Sequence, residues 1–348
     1  MSFDLDKITR ENIKKVIPYS SARDEFSGEA KIFLDANENS LGSPLTNWYN
    51  RYPDPHQVRL KEAISKIKGI SNEHIFIGNG SDECIDLLYR CFCEPGKDNV
   101  IICPPTYGMY EVSAAVNDIA VKKVSLLENF QLDLDGIEAA ADEHTKMIWI
   151  CSPNNPTGNS ISYHDIELLL NNFYGLIVID EAYINFARQR SLILSLVEYP
   201  NLVVMQTLSK AWGLAGLRLG MAFASAVIIS LLDKIKPPYN ISQAAQDIAL
   251  QALNEIEQIN EMIKEIVRMR KELAEKLRLI PFVEKVYPSD ANFLLVKVND
   301  AGKVYNYLLE SGIVVRDRSH VKLCDGCLRI TIGTENENHK LIEALNKY

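Results

Sequence analysis

Apolar residues along this chain follow two rhythms. "HIFIG" (74–78), "NVIICPP" (99–105), "KMIWICSP" (146–153), "GLIVIDEAY" (175–183), "NLVVMQTLS" (201–209) and "LGMAFA" (219–224) are short, nearly unbroken apolar runs. A strand covered on both faces loses the alternation of polar and apolar positions, so these runs predict buried strands. Between them, "SDECIDLLYRCF" (81–92), "GMYEVSAAVN" (108–117) and "SYHDIELLLNNF" (162–173) place apolar residues three and four apart, the spacing of an amphipathic helix. Strand and helix in alternation predict an α/β domain: a mostly parallel, mixed sheet flanked by helices.

The pattern changes after "KPPYNIS" (236–242). A charge-rich helical region covers 243–279, followed by "ANFLLVKV" (291–298), a helix near 300–311, "GIVVRD" (312–317) and "CLRITIG" (327–333). This is the pattern of a smaller α+β unit, with Pro237–Pro238 as its hinge. The expected division is an N-terminal arm (1–30) packing on the smaller domain, a large domain (31–240) and a small C-terminal domain (241–348). The chain has no internal repeat and no low-complexity linker.

At 348 residues, 47% hydrophobic and 24% charged, the composition is that of a globular protein of about two domains. A formal net charge of −9 argues against a general nucleic-acid binder, yet a local cluster of cations can still take an anionic ligand. The opening "MSFDLDKITRENIKK" is too charged for a signal peptide, and the longest apolar stretch, "MAFASAVIISLL" (221–232), is too short to span a membrane. Seven cysteines, an odd number without an export signal, predict reduced thiols and a cytoplasmic protein. Cys324 and Cys327 form a C-x-x-C, but "CFC" at 91–93 does not complete a zinc site, so no metal is expected.

In open parallel sheets, ligands collect beyond the carboxyl ends of the strands. The polar residues predicted there are Asn154 and Asn155, Asp180 and Tyr183, then Thr207, Ser209 and Lys210, while "NGSDECID" leads from a strand into a helix. Each has an ordinary reading alone: a turn, a solvated carboxylate, a helix cap. Together they have a chemical use. A lysine whose amine can be neutral condenses with an aldehyde. A carboxylate at the end of a buried strand keeps a pyridine nitrogen protonated. A phosphate fits on the free N–H groups near Ser81 and Asp82, with hydroxyls from Thr207 and Ser209 and the fork of Arg218. Aldehyde, pyridinium and phosphate describe pyridoxal 5′-phosphate. In "TLSKAWGLAGLRLG" (207–220), Gly213, Gly216 and Gly220 leave room for a close approach to the backbone.

"SPNNPTG" (152–158), "IVIDEAY" (177–183) and "TLSKAWGLAGLRLG", in this order and at these separations, resemble the fold-type I aminotransferases of class I/II over nearly the whole chain. "PYSSAR" (18–23), "LDANENSLG" (34–42), "RYPDP" (51–55), "GNGSDECID" (78–86) and "VVRD" followed by "CLRITIG" resemble the histidinol-phosphate branch of that family. The resemblance implies that Lys210 is the Schiff-base lysine and that Asp180 pairs with the pyridine nitrogen. It implies that Tyr183 and Asn155 hydrogen-bond the ring's 3-hydroxyl oxygen and that Tyr107 stacks on the ring. Ser81 and Asp82 amides, Thr207, Ser209 and Arg218 then hold the phosphate. Tyr52 reaches the neighbouring subunit's cofactor, which implies a homodimer.

Arg329 matches the arginine that grips the substrate's anionic end, Arg316 a second cation suited to a phosphate ester, and Tyr19 a phenol closing over the same group. Arg318 has no assigned role. The implied reaction converts L-histidinol phosphate and 2-oxoglutarate to imidazole acetol phosphate and L-glutamate, in histidine biosynthesis. Rival readings of the same fold are an aromatic amino-acid aminotransferase and a phosphothreonine decarboxylase. The sensor halves of transcription regulators share the fold too, but "DANEN" begins at 35 and no helix-turn-helix is expected ahead of it.

Overall fold

The computed structural model describes residues 3–20, 32–45 and 49–348, so part of "PYSSAR" lies outside the described residues. Seven strands form the larger sheet: β1 (Ile75–Asn79), β2 (Asn99–Ile102), β3 (Ala120–Lys123), β4 (Thr145–Cys151), β5 (Leu176–Asp180), β6 (Leu202–Thr207) and β7 (Leu219–Phe223). Their order is β1-β7-β6-β5-β4-β2-β3. Only β7 is antiparallel to its neighbours β1 and β6; the other pairs are parallel. The carboxyl ends of β1, β4, β5 and β6 therefore share one edge, and the start of β7 lies on that same edge.

The sheet is buried on both faces, which is why its strands read as unbroken apolar runs. On β4, Ile148 and Ile150 join one core while Met147, Trp149 and Cys151 join the other. The helix Ser81–Phe92 covers the second face with Cys84, Ile85, Leu88 and Phe92. Each such aliphatic side chain contributes about 1.5–3 kcal/mol on burial. The sequence pattern does not reveal β3: it is a sheet edge, and "AVKK" leaves Ala120 and Lys123 exposed.

The smaller sheet is antiparallel throughout, in the order β10-β11-β9-β8. Its strands are β8 (Val283–Val286), β9 (Phe293–Val298), β10 (Arg316–Asp317) and β11 (Cys327–Thr331). Its two faces part company with a period of two residues. Leu294, Val296, Leu328 and Ile330 pack under the helices Ile256–Leu277, Ala301–Glu310 and Glu335–Lys347. Phe293, Leu295 and Cys327 join the core of the larger sheet instead. Arg329 lies between Leu328 and Ile330, so the alternation turns it toward the larger sheet.

Two expectations change in detail. The helical region 243–279 is two helices, Gln243–Leu253 and Ile256–Leu277. The arm's described residues 3–15 pack against the large unit, not on the small domain as expected. Arg10 N–H donates to Cys91 O at 3.0 Å, Lys234 Nζ donates to the carbonyls of Ile13 and Lys14, and Ile13 is buried in the core around Phe92. The helices at 81–92 and 226–235 offer that apolar side chain the cover it needs. No helix among the described residues is long and apolar enough to cross a membrane. All seven cysteines are free and buried, and no group of three metal-ligating side chains occurs among the described residues.

Candidate active site

Asp180 is the last residue of β5, aligned between Cys151 of β4 and Met205 of β6, and only 4% exposed. Tyr110 donates its phenolic O–H to Asp180 Oδ2 at 2.7 Å, and the Ala182 N–H donates to Oδ1 at 3.0 Å. Burial raises the acid's pKa; these two bonds and the charge of Lys210 act against that rise. A carboxylate so placed, short of water, favours a cationic partner.

Lys210 stands in the turn that follows β6. Leu208 N–H donates to Leu219 O at 3.0 Å, Ser209 N–H to Thr207 Oγ1 at 3.0 Å and Gly213 N–H to Lys210 O at 3.2 Å. Ala211 and Trp212 anchor the turn in the core. Lys210 Nζ lies 5.7 Å from the centroid of the buried Tyr183 ring, which in turn meets Phe293 edge-on. Burial first and the cation of Arg329 second lower the lysine's pKa, and Arg218 adds to them; Asp180 and Asp82 oppose. The amine is thereby more readily neutral, as a nucleophile or base requires.

At one end of the cleft the helix Ser81–Phe92 begins without a side-chain cap, leaving its first N–H groups available for an anion. Gly220 makes the close approach possible: a Cβ there would lie 2.3 Å from Ser81 N. Gly80 takes a positive φ of 77°, and a Cβ on it would meet the Arg218 guanidinium at 2.6 Å. Arg218 starts β7 from the left-handed region (φ 54°) and reaches Asp82 Oδ2 at 3.3 Å, while Tyr107 donates to Asp82 Oδ1 at 3.4 Å. Thr207 already commits its hydroxyl hydrogen to Leu219 O at 3.1 Å.

The opposite wall comes from the smaller sheet. Arg316 faces Arg329 in the β10–β11 ladder, and both line the cleft together with Arg318. Arg329 donates to Asn155 Oδ1 and lies 5.3 Å over the Phe293 ring. Burial lowers the pKa of Arg329, and the cations of Arg318 and Arg316 add to this.

Twelve predicted residues thus line one cleft of about 620 Å³: Lys210, Asp180, Tyr183, Asn155, Tyr107, Ser81, Asp82, Thr207, Ser209, Arg218, Arg316 and Arg329. Tyr19 and Tyr52 do not. Tyr19 is 73% exposed, and Tyr52 lines a separate cleft, stacked on Tyr239 at 4.5 Å. Asn154 is buried and structural, donating to Pro105 O and Thr157 Oγ1. Among the described residues nothing lies close to a Cβ built on Gly213 or Gly216, so of the three glycines in that stretch only Gly220 supports a tight approach. The sequence reading missed Tyr110. It lies three residues beyond Tyr107 on the buried face of a helix, where it reads as a core residue.

The chain belongs to the class I and II aminotransferases, whose family model matches residues 36–345. Within that class it is similar to a histidinol-phosphate aminotransferase of Cytophaga hutchinsonii, 55% identical over 348 residues that span 100% of both chains. It is also similar to the crystal structure of the histidinol-phosphate aminotransferase from Clostridium acetobutylicum: TM-score 0.80, 28% identity, 86% of this chain and 90% of that one. The Sinorhizobium meliloti histidinol-phosphate aminotransferase, solved in complex with pyridoxal 5′-phosphate, gives a TM-score of 0.79 at 25% identity over 86% of this chain and 83% of that one.

The cofactor of this family is pyridoxal 5′-phosphate, and the residues present fit it. An uncapped helix start tight against Gly80 and Gly220 suits its phosphate, and the buried acid Asp180 suits a protonated ring nitrogen. The depressed amine of Lys210 suits its aldehyde.

Proposed function

We propose that this aminotransferase acts on L-histidinol phosphate and 2-oxoglutarate, giving imidazole acetol phosphate and L-glutamate, as a step of histidine biosynthesis. One observation carries the reading: a pair of arginines facing each other in a ladder, Arg316 and Arg329, stands across the cleft from Lys210 and Asp180. A bidentate guanidinium pair suits a phosphate ester better than ammonium groups would.

Pyridoxal 5′-phosphate, when bound, supplies an aldehyde for the substrate's amine and a ring that takes up the electron pair left at its Cα. Lys210 is the residue that holds the aldehyde, and Asp180 holds a proton on the ring nitrogen. Tyr183 and Asn155 hydrogen-bond the ring's hydroxyl oxygen, and Tyr107 covers one face of the ring. The amides of Ser81 and Asp82, the Ser209 hydroxyl and Arg218 hold the phosphate; Thr207 joins them only by releasing Leu219 O. Once the substrate amine displaces it, Lys210 Nζ is a neutral base that takes the proton from the substrate's Cα and passes it to the cofactor's aldehyde carbon, not back to Cα. Arg329 and Arg316 grip the substrate phosphate, and Tyr19 closes over it. Two copies form a homodimer in which Tyr52 reaches the neighbour's cofactor phosphate. Buried reduced thiols suit a cytoplasmic enzyme.

Steady-state rates of the holoenzyme with histidinol phosphate, phenylalanine and phosphothreonine test the substrate. The highest kcat/KM is expected for histidinol phosphate. A preference for phenylalanine, or release of carbon dioxide from phosphothreonine, would overturn the reading.

A further inference from the structure

Arg318 has no role in the scheme above, and its surroundings single it out. Arg316 stands opposite Arg329 in the ladder, and the Arg318 N–H continues that ladder by donating to Cys327 O at 2.9 Å. Positions i and i+2 of a strand share a face, so Arg316 and Arg318 present their guanidiniums to the wall that Arg329 also lines. The adjacent acid offsets the charge of Arg318 only in part and is itself engaged elsewhere: Asp317 Oδ1 accepts from Ser319 N–H at 2.8 Å and from the Ser319 hydroxyl at 2.6 Å. Arg318 Nε is shut off from solvent without a hydrogen-bond partner among the described residues. Burial and the neighbouring Arg316 both make the charge on Arg318 more costly. An anion in the cleft relieves that cost.

Three guanidiniums exceed what a carboxylate requires. A carboxylate has one charge and two oxygens, which a single bidentate fork satisfies. A phosphate monoester carries about −1.5 to −2 charges at pH 7 and offers three terminal oxygens. We propose that Arg318 is a substrate-binding residue that takes the ester's third terminal oxygen and sets the preference for a phosphate monoester over a carboxylate. This rests on the substrate reading above, and extends it by placing selectivity on a residue outside the Arg316–Arg329 pair.

The test uses holoenzyme of the wild type, Arg318→Gln and Arg318→Lys. It measures kcat and KM for histidinol phosphate, KM for glutamate and the inhibition constant of inorganic phosphate, from pH 5.5 to 8. In Arg318→Gln, the KM for the ester and the inhibition constant of phosphate are expected to rise about 10- to 100-fold, as when one charge-assisted hydrogen bond is removed. The kcat and the glutamate KM are expected to stay within about threefold, since the forks of Arg329 and Arg316 suffice for glutamate's two carboxylates, one each. Wild-type affinity for histidinol phosphate should strengthen as pH rises through the ester's second ionisation near 6, and the variant's dependence should be flatter. Arg318→Lys should recover part of the loss, restoring the charge but not the fork.

Absorbance of the bound cofactor should match the wild type in both variants; a variant that lost it would mark Arg318 as a residue of the fold and overturn the proposal. Equal losses for ester and glutamate, or no loss for either, would overturn it too. A wild type indifferent to histidinol phosphate would sink the substrate reading, while weaker inhibition by inorganic phosphate in Arg318→Gln would still support Arg318 as the anion ligand.

Discussion

Tyr110 donates its phenolic hydrogen to Asp180 at 2.7 Å, in a place closed to water. The tyrosine is pinned on two further sides: its ring stacks on Trp149 at 4.9 Å, and its carbonyl accepts the Tyr89 hydroxyl at 2.9 Å. A rigid core residue thereby fixes the orientation of the acid at the cleft floor.

Replacing Tyr110 by Phe removes a bond that favours the ionised acid. The folded-state pKa of Asp180 already lies above its ordinary value because of burial. Its contribution to stability is therefore full below the ordinary carboxylate range and is lost as pH rises through the folded value. Tyr110→Phe should deepen that loss by about 1.5–3 kcal/mol at alkaline pH, the worth of a hydrogen bond to a charged group. Thermal melts of the cofactor-free protein at pH 5 and pH 8 check this: the drop in Tm should be larger at pH 8. In the holoenzyme the acid limb of activity should move to higher pH. An equal drop in Tm at both pH values with an unmoved activity limb would mean that the tyrosine only packs.

Gly220→Ala should weaken the cofactor's hold without touching any charged group. The added methyl would lie 2.3 Å from Ser81 N and 2.4 Å from the Gly80 carbonyl carbon, so β7 or the helix start must move. Overpacking of this kind costs about 1–3 kcal/mol, and the dissociation constant for cofactor should rise by about tenfold or more. Titration of the cofactor-free protein with pyridoxal 5′-phosphate measures it. Gly216→Ala, where nothing lies near among the described residues, should leave affinity unchanged and serves as the control.

Arg329→Gln should raise the pKa of Lys210, because Arg329 is the largest charged contributor to its depression. A lysine with a lowered pKa becomes neutral at a lower pH, so its reaction with an aldehyde reaches its plateau earlier on a rising pH scale. Removing the arginine should move the rising limb to higher pH, and capture at a fixed pH below the limb should slow accordingly. Stopped-flow rates of pyridoxal capture by the cofactor-free protein, followed against pH, check the direction. A limb that stays in place or moves downward would separate Lys210 from Arg329.

Much of this site is legible in the sequence because strand ends in a parallel sheet are easy to locate from apolar runs. Asp180 and Thr207 are the last residues of their strands, and the helix Ser81–Phe92 matches the periodicity of its segment. What escapes is set by tertiary contact. Tyr110 sits in a helix pattern that predicts core, and nothing local indicates that its hydroxyl meets an acid 70 positions along the chain. The edge strands "AVKK" and "VEKV" carry too many exposed lysines and acids to read as strands. The arm's docking surface depended on which helix had room for Ile13, which no local pattern encodes. Arg318 was visible as a charge, but its solvent-closed Nε, without a hydrogen-bond partner among the described residues, was not.

The central claim is that Lys210, in the turn after β6, is the amine that binds the cofactor's aldehyde opposite Asp180. Borohydride reduction of the holoenzyme, followed by peptide mass mapping, tests it most directly. The expected result is the mass of a reduced pyridoxyl-phosphate group on Lys210 alone, absent from Lys210→Ala and still present in Asp180→Ala, whose turnover falls by about 10²–10³. The mass on any other lysine, or its persistence in Lys210→Ala, would contradict the account.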